Sequence, residues 1–281
     1  MNTRFIVRFL ILFLALTAVA LTLVSFLPPP MLRGLVVWAE SLNAPRDATP
    51  TPPMISVPPG PLPGGPVGVQ EWKQSEGKDY EIAGSGFFLA LNNGDVIGVT
   101  TAHSVGDLHD PANTLQHVAF KLAGDDHYLM VFDDLYGDPG IPRPGTELNL
   151  TVDYLLLRAT VPDTVDPSLI LTPDSRGAPQ PGERVSLFSG LGGQNGPRRE
   201  LPGTVQSAEA TGLWVLMDGD LFDAGGMSGS PLLSQYTGHA VGMAIAVDYN
   251  RNRVRIGFHP IGSIVAKAEA ATEYFRISEY P

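Results

Sequence analysis

Ser228 lies in the heptapeptide Gly225-Gly226-Met227-Ser228-Gly229-Ser230-Pro231. A serine hydroxyl is a poor nucleophile until a base takes its proton and nearby donors hold the oxyanion that forms. Glycines ahead of the serine let the backbone turn tightly, so that successive amides can face one point. Gly229 and Pro231 fit a sharp exit into a strand at Leu232-Leu233. The same heptapeptide also reads as an ordinary glycine-serine turn, so its meaning depends on what the rest of the chain supplies. His103 ends the strand-like run Val99-Thr100-Thr101-Ala102, where a side chain reaches a cleft. It is one of six histidines, and a lone histidine is as a rule a surface or satisfied residue. Asp153 stands directly before the apolar run Leu155-Leu156-Leu157. A carboxylate buried there costs free energy unless it is hydrogen-bonded or paired, and an imidazole would pair it. The plain alternative is an aspartate at a strand edge in solvent.

The chain that must position these groups has 281 residues, enough for a sizeable core or two smaller ones. A net charge of −11 argues against nucleic acid as a partner, since phosphate binding needs clustered Lys and Arg. With no cysteine, disulfides and thiolate metal sites are excluded, and stability must come from packing.

Residues 9–27 carry no charge and follow Arg4 and Arg8. About 20 apolar residues span a bilayer as a helix, and arginines on the N-terminal side keep that end in the cytoplasm. The expected localisation is therefore a single-pass anchor in the cell membrane, with the rest of the chain extracytoplasmic. The alternative is secretion after signal cleavage near Ala18-Val19-Ala20. Pro28-Pro29-Pro30 stops the helix. Residues 44–68 are rich in Pro and Gly and predict a semi-stiff spacer. This divides the chain into a stub and anchor (1–30), a juxtamembrane segment and linker (31–68), and a folded domain (69–281).

In that domain short apolar runs alternate with turn residues. Runs 86–91 and 96–99 flank Asn92-Asn93-Gly94-Asp95 and predict a β-hairpin. Further strands are predicted over 117–122, 128–132, 154–157, 168–171, 185–188, 213–217, 240–247 and 254–258. Such spacing suggests an all-β barrel or sandwich class. Only the end of the chain, around 262–275, has helical composition.

Three segments then carry a resemblance. Thr101-Ala102-His103 resembles the histidine motif of trypsin-like serine proteases, Val152-Asp153-Tyr154-Leu155-Leu156-Leu157 their aspartate motif, and Gly226-Met227-Ser228-Gly229-Ser230-Pro231 their serine motif. The similarity runs from about Gly84 to Ala266. It is nearest to the disulfide-free HtrA/Deg branch, in which an apolar segment like Arg255-Ile256-Gly257-Phe258-His259-Pro260-Ile261 precedes the last helix. Unlike many members of that branch, this chain is expected to carry no peptide-binding PDZ domain. The resemblance implies a chymotrypsin-like pair of six-stranded antiparallel β-barrels, at about 69–165 and 166–262, followed by the C-terminal helix. It implies a Ser-His-Asp relay of Ser228, His103 and Asp153, with the amides of Gly226 and Ser228 as the oxyanion hole. It implies peptide or protein substrates and no cofactor or metal.

Two departures matter. Digestive members carry an aspartate before the serine that pairs with a freed N-terminus, and here Met227 stands there, which argues against that activation. Ser230 replaces the usual second glycine. The specificity pocket is expected near Phe222, Ala244, Ile245 and Ala246, without charge, so a small or apolar substrate side chain is expected. His259 is a further candidate that would favour an acidic one. His103, His109 and Asp110 fit no standard zinc spacing. Besides a membrane-anchored endopeptidase, two readings remain open: a silent scaffold that keeps the barrels, and an esterase using the same relay.

Overall fold

The run Phe87-Phe88-Leu89 does not alternate as a half-buried strand should, and the structure gives the reason. A computed structural model describes residues 61–142, 149–161, 164–191, 199–250 and 253–280. In it Phe88 fills the first sheet's interior, while Phe87 and Leu89, on the opposite face, are buried where the two halves of the molecule meet. Leu155 and Leu157 likewise face the first core, and Leu156 faces the seam. Strands buried on both faces read as continuous apolar runs.

The first half holds β1 (Val69–Ser75), β2 (Glu81–Ala90), β3 (Val96–Thr100), the single turn α1 (Ala102–Val105), β4 (Leu115–Lys121), β5 (Tyr128–Phe132), β6 (Asp134–Tyr136), β7 (Leu155–Arg158) and the two-residue β8 (Ile170–Leu171). The predicted hairpin is β2–β3, paired Leu89 to Ile97. The second half holds β9 (Arg184–Ser189), β10 (Arg199–Glu209), β11 (Gly212–Met217), β12 (Pro231–Ser234), β13 (Ala240–Asn250) and β14 (Arg253–Pro260). These six close into a barrel in the order β10-β11-β14-β13-β12-β9. Helix α2 (Ile261–Ala270) and β15 (Tyr274–Arg276) end the fold.

The expectation of two six-stranded barrels is corrected in the first half. There a nine-stranded sheet runs β15-β6-β7-β3-β2-β1-β4-β5, with β8 on β2. Its end strand β5 passes into β6, which lies next to the opposite end strand β15, through Asp133 alone, so the curled sheet is joined there by the chain rather than by a ladder. Its core stacks Phe120 edge-on to Phe88 and Phe132, with ring centroids 5.4 and 4.9 Å apart. Such pairs add about 0.5–1.5 kcal/mol beyond burial of the rings.

The C-terminal helix is also shorter than expected, ending at Ala270 rather than near 275. Tyr274 and Phe275 favour a strand and find an open edge, pairing with Tyr136 and Leu135 of β6. The chain thereby returns from the second half to the first. Strand β10 contains Pro202, a residue that argues against a strand. It is accommodated at the end of the ladder with β11, which begins at Gly203: Pro202 lends only its carbonyl there, accepting from Asp218 N at 2.9 Å. The packed part starts before Val69, since Val67 is 1% exposed in the seam. The apolar stretch 9–27 and most of the linker lie outside the described residues. Among the described residues no helix is long and apolar enough to cross a membrane.

Candidate active site

His103 owes its position to the turn that follows β3. Ala102 and Val105 bury their side chains and anchor α1, which leaves the imidazole between them 34% exposed. Asp153 follows a single 3-10 turn, Leu150–Val152, whose first amides are capped by the Asn149 side chain through Thr151 N at 3.0 Å. Leu150 is fully buried and pins that turn. The Asp153 carboxylate is then 1% exposed and accepts from the His103 amide at 3.1 Å and from His103 Nδ1 at 2.7 Å.

This contact settles the histidine tautomer by elimination. An ionised carboxylate only accepts, so Nδ1 carries the proton and Nε2 presents a lone pair. That lone pair faces Ser228 Oγ at 2.8 Å. Three residues distant in the chain thus form one continuous line, Asp153 to His103 to Ser228, across the junction of the two halves.

The serine turn is held from both sides. Gly229 N donates to Ala244 O at 2.8 Å and Ala244 N to Ser230 O at 2.9 Å, fixing the turn to β13. Ser85 of β2 donates from its amide to Ser228 O at 2.9 Å and from Oγ to Gly226 O at 3.0 Å. Gly226 and Gly229 adopt φ of 80° and 86°, a region that L side chains avoid. Among the described residues, no protein acceptor pairs with the amides of Gly226 or Ser228. Two free donors beside the Ser228 hydroxyl are what an oxyanion formed there would require. Met227 is 5% exposed and packs in the barrel core, so the turn needs no buried charge at that position to hold it.

Gly229 tolerates no side chain. A Cβ there would lie 1.8 Å from the Ser85 carbonyl oxygen, a backbone atom that cannot step aside. Gly229→Ala is therefore expected to lower thermal stability by at least about 2 kcal/mol and to disrupt the serine turn. A denaturant melt of the variant measures it. A loss below about 0.5 kcal/mol would contradict this packing.

The residues expected to line a specificity pocket lie on β13 and ahead of the serine turn. Ala244 is buried in the barrel core and Ile245 in the seam; Ala246, half-buried, sits at a bulge between β13 and β14. Phe222 is half-buried against the barrel core. His259 is corrected outright as a pocket residue. It is fully buried behind Asp153, edge-on to Tyr154 at 5.7 Å. Burial pushes its imidazole down to about 4, against the pull of the neighbouring Asp153 carbonyl and charge. It therefore stays neutral near pH 7. His109, the alternative metal residue, turns its ring to Tyr280 at 5.3 Å, and Asp110 caps a turn through Ala112 N.

Sequence reasoning passed over Glu71, Ser85, Thr100 and Ser104, a polar group behind the relay. Their signal lies only in register. Glu71 alternates with Val69 on the inward face of β1, where a carboxylate is out of place.

No protein-family model matches this chain, and no curated protein matches it. Solved structures of similar shape do exist. Protease Anisep from Arthrobacter nicotinovorans has a TM-score of 0.47 at 14% identity, over 73% of this chain and 97% of that one. Kallikrein-related peptidase 10 has 0.47 at 16%, over 74% and 96%. Catalytically active tobacco etch virus protease complexed with product has 0.46 at 14%, over 77% and 85%. All three are peptidases by name. The likeness is faint.

Proposed function

We propose that this chain is a serine endopeptidase of the trypsin-like type, with Ser228 as nucleophile, His103 as general base and acid, and Asp153 as the group that orients and charge-stabilises His103. One observation carries the reading: Asp153, His103 and Ser228 form an unbroken hydrogen-bonded line of 2.7 and 2.8 Å, beside two unpaired amides. Ser228 Oγ attacks the scissile carbonyl carbon while its proton passes to His103 Nε2. The carbonyl oxygen becomes an oxyanion that the Gly226 and Ser228 amides stabilise. His103 then gives the proton to the leaving amine, and an acyl-serine remains. Water, deprotonated by the same Nε2, cleaves that ester and returns the proton to Ser228. The roles follow the template established for trypsin-like enzymes.

Two finer readings rest on sequence. The apolar stretch 9–27 anchors the chain in a membrane with the catalytic domain outside the cytoplasm. The HtrA/Deg kinship rests on the disulfide-free chain and the segment from Arg255 to Ile261. The buried Met227 supports a site that needs no newly freed N-terminus to assemble.

A fluorophosphonate probe tests the central reading on the full-length chain. The expected result is a single covalent adduct mapped by peptide mass spectrometry to Ser228. A folded protein that takes up no probe, or takes it up at another residue, overturns the assignment. Rates on a peptide library compared with short esters then separate peptidase from esterase.

A further inference from the structure

Behind the relay lies a buried carboxyl that the mechanism above does not use. Glu71 is fully buried on β1. Its Oε1 lies 2.8 Å from Ser104 Oγ, and its Oε2 lies 2.8 Å from Thr100 Oγ1. Each hydroxyl also touches a backbone carbonyl: Ser104 Oγ is 2.7 Å from Thr101 O, and Thr100 Oγ1 is 2.8 Å from Ser85 O.

The protons can be counted. There are four short O···O contacts, and a carbonyl oxygen cannot donate. Two hydroxyls supply two protons. With Glu71 ionised, two of the four contacts hold no proton and are repulsive. With Glu71 neutral, its own proton fills a third. The geometry thus favours the carboxylic acid over the carboxylate.

The network has a direction. Ser104 and Thr101 flank His103 on the turn that carries it. Ser85 holds the serine turn through Ser228 O and Gly226 O. Gly84, opposite Glu71 in the ladder, leaves the gap between them open: a Cβ there would sit 3.0 Å from Glu71 Oε2 and 3.1 Å from Ser228 O. We propose that Glu71, as a neutral acid, is a positioning residue that ties the His103 turn to the Ser228 turn, and that its ionisation loosens this tie and slows the reaction. On ionisation the two hydroxyls turn their protons to the carboxylate and release the Thr101 and Ser85 carbonyls.

The electrostatics agree. Burial pushes the Glu71 carboxyl up to about 7. The Ser104 and Thr100 hydroxyls and the charges of His103 and Lys73 pull it the other way. The charged groups around it are few. His103 faces it from α1, with Asp153 beyond. Lys73 lies on its own strand, where Nζ donates to Ser104 O at 3.2 Å and pairs with Glu81 of β2 at 3.7 Å. Opposite on β4 stands the uncharged Phe120.

The inference rests on the relay reading, so its test has one arm that needs the nucleophile and one that does not. In the first, fluorophosphonate labelling of the full-length chain is followed against pH. The wild-type rate is expected to fall about tenfold as Glu71 ionises. Glu71→Gln, whose amide both donates and accepts as the neutral acid does, is expected to keep the wild-type maximum and lose the fall. An unchanged pH profile in Glu71→Gln overturns the proposal. So does an equal loss at every pH, which would mean that the carboxylate itself is needed. In the second arm, the Gly226 and Ser228 amide resonances are followed in a His103→Ala background, where no imidazole titrates at that position. They are expected to shift with pH while Glu71 is present and to stay still with Glu71→Gln. If the wild type takes up no probe at any pH, the peptidase reading falls and this second arm alone decides; amides that do not respond to Glu71 overturn the coupling. Thermal stability gives a further sign. Folding raises this carboxyl from its ordinary 4.5 to about 7, so the folded state holds the proton longer and stability falls as pH rises through that window. Glu71→Gln is expected to be free of that fall, and a parallel fall in the variant counts against a neutral Glu71.

Discussion

Replacing Ser228 by alanine is expected to lower kcat on a cleaved peptide by on the order of 10⁶, and adding His103→Ala is expected to cost almost nothing more. The second clause is the stronger test. In the proposed mechanism His103 Nε2 has one task, to exchange a proton with the hydroxyl 2.8 Å away. Without that hydroxyl the base has nothing to activate, and without the base the hydroxyl is an ordinary alcohol. Groups that act as one unit give losses that do not add. The Gly226 and Ser228 amides remain in both variants, so a residual rate of about 10³ over water is expected from them and from substrate binding. The fold should be unchanged, because the Ser228 side chain contributes only its bond to His103, while its carbonyl keeps the Ser85 amide. Single-turnover rates of the two single variants and the double variant measure this. Losses that multiply would show that the two residues work independently, and the relay would be wrong.

How far the sequence reached can be judged residue by residue. The hairpin around Gly94, the strands before His103 and after Asp153, and the all-β class follow from short apolar runs bounded by turn residues, which are local signals. Three segments in the order histidine, aspartate, serine singled out these residues through a resemblance, and the structure puts Asp153, His103 and Ser228 within hydrogen-bond distance in that line. What escaped was set by partners distant in the chain. Tyr274 and Phe275 continue a helical composition, and only the free edge of β6 makes them a strand. The joining of β5 to β6 depends on a one-residue link at Asp133 that has no local signature. His259 follows the apolar run Val254–Phe258 and looks like a strand-end histidine, much as His103 does. Which of two such histidines meets solvent and which is sealed in the seam depends on how the halves dock. Glu71 is the clearest case. Its neighbours Val69 and Trp72 do not mark it, and only the register of β1 between β2 and β4 turns it inward.

Asp153→Asn is expected to lower kcat by about 10⁴, the loss known for the corresponding change in a trypsin-like enzyme, while leaving KM and the melting temperature nearly unchanged. The argument is one of donors and acceptors. The two carboxylate oxygens accept from two N–H groups of His103, the backbone amide at 3.1 Å and Nδ1 at 2.7 Å. Asparagine offers one oxygen and one NH₂. If its oxygen keeps the backbone amide, its NH₂ faces Nδ1, which must then become the acceptor. The ring proton moves to Nε2, where it points at Ser228 Oγ and blocks the lone pair that should receive the serine proton. If the amide flips, the NH₂ faces the His103 backbone N–H, and two donors oppose each other in a site 1% exposed. The first arrangement costs less and is the inactive one. Substrate binding is untouched because Asp153 lies behind the imidazole. Steady-state kinetics with a melting curve decide the matter: a variant within tenfold of wild-type kcat would show that Asp153 does not fix the tautomer. A variant that loses activity only because it unfolds would show that the carboxylate serves the fold rather than the reaction.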